Sequence, residues 1–187
     1  MRDHSIPRHD SEDLADRYAC QAVESFVRDE DREVLGHVGH FDVDEVGRQA
    51  AIDAASRLPG PVAVLRTSRR SYHLWALSVR PLSEWLDRGR RLDVVDDEYL
   101  AITEDRGHGV ARITHKTALA DGTVVKPEPS LRAVVYNQTD MSGLSAPHGR
   151  LLRDRFDADL DPEGDHWVGH STTSRAFMAT IGGRGGD

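Results

Sequence analysis

Three short stretches of this chain carry residue types that do phosphate and metal chemistry. The first is Asp42-Val43-Asp44. In a strand, residues two apart point to one face. The two carboxylates would then stand roughly 7 Å apart at the backbone, close enough to converge on one ion. Hard divalent cations such as Mg²⁺ and Mn²⁺ prefer such oxygen donors. The second stretch is Thr67-Ser68-Arg69-Arg70-Ser71-Tyr72-His73. It reads as a tight turn entering a strand, with N–H groups, hydroxyls and guanidinium groups available to a phosphate. On the returning strand His73 shares a face with Trp75, while Tyr72 and Leu74 take the other. The third is Arg112-Ile113-Thr114-His115-Lys116, where a regular strand would align Arg112, Thr114 and Lys116 as a phosphate-friendly row. Each stretch also has a plainer use, as a solvated strand end, a surface hairpin or a charged protective edge.

The elements that must position these groups follow from periodicity. Ser11-Glu12-Asp13, then Leu14, Tyr18, Ala22 and Phe26, has the form of a capped helix with an apolar stripe. Residues 33–44 end in strand-like alternation. Residues 45–58 are helical in pattern, and Pro59-Gly60 closes them. Residues 61–67 and 72–77 form a β-hairpin around Ser68-Arg69-Arg70-Ser71. Helices are expected near 81–89, 96–104 and 146–158, and strands near 110–114 and 131–136. Residues 117–130 read as a loop. Three segments result: a loose arm over 1–12, a domain over 13–158 and a polar, flexible tail over 159–187. Helices interspersed with short strands give an α+β class, a small antiparallel or mixed sheet flanked by helices.

Composition narrows the field. The net charge is −8, and Lys116 and Lys126 are the only lysines among 24 basic residues. Such an acidic, arginine-rich chain suits a halophile or a high-GC genome. A nucleic-acid partner would then need its basic contacts gathered in one groove. The single cysteine, Cys20, excludes an internal disulfide and a cysteine-cluster zinc site. The apolar runs are too short to cross a bilayer, and Met1-Arg2-Asp3-His4 lacks the core of a signal peptide, so a cytoplasmic protein with no membrane partner is expected. No P-loop pattern is present. His37 and His40 would point to opposite faces of a regular strand, which disfavours a shared ion.

The order of these motifs resembles the archaeo-eukaryotic primase superfamily. An acid-x-acid strand (Asp42-Val43-Asp44) is followed by a helix and a hairpin with a Ser-x-His motif (Ser71-Tyr72-His73). Serines at 68 and 71 stand where the family's hairpin carries glycines. The resemblance spans residues 33–136 and implies an RRM-like primase core performing two-metal, template-dependent nucleotidyl transfer. Asp42 and Asp44 would hold Mg²⁺ or Mn²⁺, with Asp96, Asp97 and Asp105 as candidates for a third acid. His73 would be catalytic and, with Ser71, Arg69 and Arg70, would grip the nucleoside triphosphate. Arg112 and Lys116 would meet phosphate or template backbone. The implied partners are a single-stranded DNA template and nucleoside triphosphates, with a replicative helicase or a second primase subunit as a further partner. The alternative is a nucleic-acid-binding replication accessory domain that keeps the fold without catalysis. A metal-dependent hydrolase is more distant.

Overall fold

In the computed structural model the described residues are 18–137, 144–158, 160, 167–169 and 176–179. They form an α+β fold built on one open antiparallel sheet. Its strands are β3 (Phe26–Arg28), β4 (Val34–Val43), β5 (Gly60–Arg66), β6 (Tyr72–Arg80), β10 (Ser130–Asn137), β11 (Trp167–Gly169) and β12 (Ala176–Ala179). Their order across the sheet is β11-β12-β10-β5-β6-β4-β3. Four helices flank it: α1 (Arg48–Ala55), α2 (Leu82–Arg90), α3 (Asp97–Arg106) and α4 (Ala146–Phe156). Two small sheets complete the fold, one pairing β2 (Ala22–Glu24) with β7 (Val110–Arg112), the other ordering β1 (Tyr18–Ala19), β8 (Lys116–Ala118) and β9 (Val124–Lys126) as β1-β8-β9. No described helix is long and apolar enough to cross a membrane.

Alternation along the central strands divides the core in two. Phe41, Val43, Val62, Val64, Tyr72, Leu74 and Ala76 face α1, α2 and α3. Ala63, Leu65, Trp75, Leu77 and Val134 face the opposite way, toward Leu152 of α4 and Ala111 of β7. Tyr72 and Trp75 are both buried and serve as packing, with Trp75 against Phe156. Burial on both faces requires continuous apolar runs in β5 and β6, which is what their sequences contain.

Helix α2 lies unusually close to β4. A Cβ added at Gly39 would sit 2.8 Å from the Trp85 ring and 2.9 Å from Phe41, and one at Gly89 would sit 2.7 Å from Leu100. The Trp85 indole N–H donates to the His37 carbonyl at 2.7 Å, locking the helix to the strand. Both rings around Gly39 are buried and have no room to yield. Gly39→Ala is therefore expected to destabilise the fold by about 1–3 kcal/mol. A urea-denaturation midpoint equal to wild type would contradict this packing.

Three expectations are corrected. The stripe at Tyr18, Ala22 and Phe26 does not continue as a helix: residues 18–28 form three short strands. Their backbones find partners in β8, β7 and β4, and Ser25 is held between Gly109 and His37. Residues 117–130 are not one loop, because β8 and β9 form a hairpin through Asp121-Gly122, with Gly122 at φ 73°. Arg112, Thr114 and Lys116 do not share one strand face. β7 ends at Arg112, and Lys116 opens β8 in a different sheet. Within the expected tail, β11 and β12 extend the central sheet by covering the free edge of β10. Residues 1–17 and, apart from residue 160, the rest of that tail lie outside the described residues.

Candidate metal centre

The C-terminal end of β4 and the N-terminal end of β6 meet in direct register, Asp42 opposite His73 and Val43 opposite Tyr72. The His73 Nε2 lies 3.6 Å from Asp42 Oδ1. Asp44 follows β4 immediately, and strand alternation returns its side chain toward that of Asp42. A third carboxylate arrives from elsewhere. Asp96 caps α3, its Oδ1 accepting the Glu98 N–H at 2.9 Å, and its own N–H donates to the Asp42 carbonyl at 2.9 Å. That backbone bond ties the start of α3 to the acidic strand. As a result, Asp42, Asp44 and Asp96 each bring a carboxylate oxygen within 4.8 Å of the others.

Three carboxylates this close repel one another. Asp42 is only 25% exposed, and burial, followed by the charges of Asp44 and Asp96, pushes its carboxyl up to about 6, against the pull of Lys126 and the Val43 N–H. A divalent cation would relieve that repulsion. All three donors are carboxylate oxygens, and together they could hold a metal ion.

His73 is the uncharged neighbour of this cluster. It is 13% exposed, and its Nδ1 is buried with no hydrogen-bond partner among the described residues. Burial, reinforced by the positive charges of Arg112 and Lys126, brings its pKa down to about 3. The contact with Asp42 is therefore no ion pair at neutral pH, and 3.6 Å exceeds a hydrogen bond. The imidazole can offer one N–H or one lone pair to a group placed between it and Asp42.

The remaining predicted residues divide. Arg69 is exposed at the β5–β6 turn. Arg70 donates to the Glu45 carbonyl at 2.7 Å and lies 3.7 Å from the Glu45 carboxylate. The Ser71 hydroxyl accepts from Ser68 at 2.8 Å. Arg112 directs its guanidinium to backbone carbonyls of Thr114 and Pro127, the latter at 2.6 Å. It thus staples the β7–β8 connection while its charge acts on His73. Lys116 stands opposite Lys126 in the β8–β9 hairpin. Of the acid candidates, Asp96 joins the cluster, whereas Asp97 and Asp105 are exposed and outside it. Lys126 was missed by sequence reasoning, although its field reaches both Asp42 and His73. The signal was present: Asp121-Gly122 between β-prone residues is a hairpin motif, and it folds one lysine back onto the other.

Searches of family profiles, curated proteins and solved structures return no match to this chain.

Proposed function

We propose that this chain is a metal-dependent nucleotidyltransferase of the primase type, extending a primer on single-stranded DNA from nucleoside triphosphates. The observation that carries the reading is the convergence of Asp42, Asp44 and Asp96 beside a neutral His73 on the adjacent strand. The order of motifs along the chain, acid-x-acid strand, helix, then Ser-x-His hairpin, supports assigning the sheet and helices to an RRM-like primase core.

On this reading the three carboxylates hold Mg²⁺ or Mn²⁺, and the bound ion supplies charge neutralisation for phosphoryl transfer. The protein's own groups do the positioning. His73, uncharged and fixed by burial, presents its Nε2 as a hydrogen-bonding group to the triphosphate. Lys126 and Arg112 add positive potential on the same side, and Arg69 is the unpaired guanidinium of the turn among the described residues. Nucleotide substrates place such an enzyme inside the cell.

A second reading, a nucleic-acid-binding accessory domain, is favoured by one observation. Ser71, Arg70 and Arg112 spend donors or acceptors within the protein rather than facing an open site.

Template-dependent incorporation of labelled nucleotides with Mn²⁺, from low to high salt, separates the two. Wild type is expected to extend a primer, and Asp42→Ala/Asp44→Ala to lose at least ~100-fold in rate, a few kcal/mol of transition-state stabilisation. Absence of incorporation by wild type at every salt concentration leaves the accessory reading.

A further inference from the structure

We infer that Arg48, Arg66 and Arg132 form a second site, one that takes a phosphate group at the open N-terminus of α1. The three residues come from different elements: the first turn of α1, the end of β5 and the start of β10. Arg66 pairs with Ser130 across the sheet, and a register shift between Leu131 and Ala133 leaves Arg132 at a bulge. Bulges re-aim side chains in this way. Arg48 then donates from Nη2 to the Arg132 carbonyl at 2.9 Å, which draws the head of α1 onto the same corner.

Several other arginines have acid partners: Arg80 and Arg88 with Glu84, Arg90 with Glu104, Arg155 with Glu128. None of these three has a carboxylate partner among the described residues. The Nε of Arg132 is buried without a hydrogen bond among the described residues. Burial, and then the charges of Arg66 and Arg48, lower the Arg132 pKa. In a chain of net charge −8, an uncompensated arginine trio has an electrostatic cost that a bound anion removes.

The head of α1 adds donors to the trio. Its N-cap is Gly47, which supplies no side-chain cap, and its first turn has no acidic residue. The space above Gly47 is open. The leading N–H groups of a helix have no intrahelical acceptor and carry partial positive charge. Free N–H groups beside guanidinium forks match the oxygens of a phosphate. Arg48 and Arg66 are exposed, so the ligand can reach them.

The site's place in the sheet indicates the ligand's source. Tyr72 pairs with Arg66 on one side and with Val43 on the other. The trio therefore stands at the same end of the sheet as the carboxylates, with Arg66 two strands, roughly 10 Å, from the end of β4. The trio's row, with Tyr72 and Val43, faces the helices, whereas Asp42 and His73 alternate to the other face, so a phosphodiester strand touching both places would pass over the end of the sheet. The shared chemistry is a phosphate group, from a nucleic-acid strand or from a free phosphate ion.

The test is binding in the presence of EDTA, which keeps it independent of the carboxylates. The probes are a labelled single-stranded oligonucleotide, followed by anisotropy, and inorganic pyrophosphate, followed by calorimetry. Arg66→Gln and Arg48→Gln are each expected to weaken binding about tenfold, as loss of one charge-assisted hydrogen bond implies. For the oligonucleotide, the slope of log K against log salt should shrink by about 0.7 per arginine removed. Arg66 is the deciding position, because it is exposed and its side chain makes no hydrogen bond among the described residues. Weakening with both probes supports a site that free phosphate can fill. Weakening with the oligonucleotide alone supports a strand-bound phosphate. Undiminished binding in both variants, or no binding of either probe by wild type at low salt, overturns the inference. Failure here leaves the metal centre untouched, because primer extension tests that centre separately.

Discussion

Asp42→Asn should abolish metal-dependent activity and, in the absence of metal, make the protein more stable at neutral pH. The native carboxyl sits at about 6 against an ordinary 3.8. The folded state therefore holds the Asp42 proton more tightly than the unfolded chain does. Its contribution to stability is fully present below pH 3.8 and is lost as pH rises through about 6. Two pH units at ~1.4 kcal/mol each set a ceiling of about 3 kcal/mol, and partial exposure reduces this to about 1–3 kcal/mol. Asparagine keeps the shape and discards the charge. In EDTA at pH 7.5 the variant should melt several degrees higher, at about 2–4 °C per kcal/mol for a chain of this size. The gap between variant and wild type should close below about pH 4. With Mn²⁺ present the order should reverse, because only the wild type gains stability from bound ion. A variant that melts lower than wild type in EDTA at pH 7.5 would show that Asp42 is a structural partner rather than a strained ligand.

Asp96→Asn is the second large effect, and it separates the third acid from its neighbours. Asparagine caps a helix as well as aspartate does, so α3 should remain intact. The charge it removes belongs to the carboxylate cluster. Metal affinity and nucleotide incorporation should fall by ~10–100-fold, comparable to or larger than the loss of a group that supports a metal ligand. Asp97→Asn and Asp105→Asn, at exposed positions outside the cluster, should leave metal affinity within about twofold of wild type. Calorimetric Mn²⁺ titration of the four proteins checks this. Equal affinities for wild type and Asp96→Asn would remove Asp96 from the site.

The parts of the site that lie close in sequence were legible, and those delivered by tertiary packing were not. Alternation in β4 puts Asp42 and Asp44 on one face, and the β5–β6 hairpin puts His73 near the head of the returning strand, both local consequences of residue type; that β4 lies beside β6 rather than β5 was carried only by the order of motifs. The helix between them is bounded by Pro59-Gly60, so its length and return were readable. Asp96 is different. Sequence shows it as a helix cap and as one of three acids. Its arrival beside Asp42 depends on how closely α2 and α3 pack around Gly89, Phe41 and Leu100. The arginine trio is invisible for the same reason, since residues 48, 66 and 132 meet only once β5 and β10 pair.

The errors have physical causes as well. Tyr18, Ala22 and Phe26 fall at four-residue spacing, yet Ser25 and Val27 are the fully buried positions, two apart as a strand requires. Short segments follow the partners available to their backbones more than their own periodicity. In residues 117–130, glycine and two prolines have loop composition, yet Asp121-Gly122 is a hairpin turn. There the Thr123 N–H donates to the Asp121 carboxylate and the Gly122 N–H to the Ala118 carbonyl, closing a turn.

The most direct measurement is diffraction from crystals soaked in Mn²⁺, read at a wavelength where manganese scatters anomalously. A peak bonded to oxygens of Asp42, Asp44 and Asp96 is expected, with His73 facing it from the adjacent strand β6. Crystals saturated with Mn²⁺ that show those three carboxylates without an ion, or turned away from one another, would contradict it.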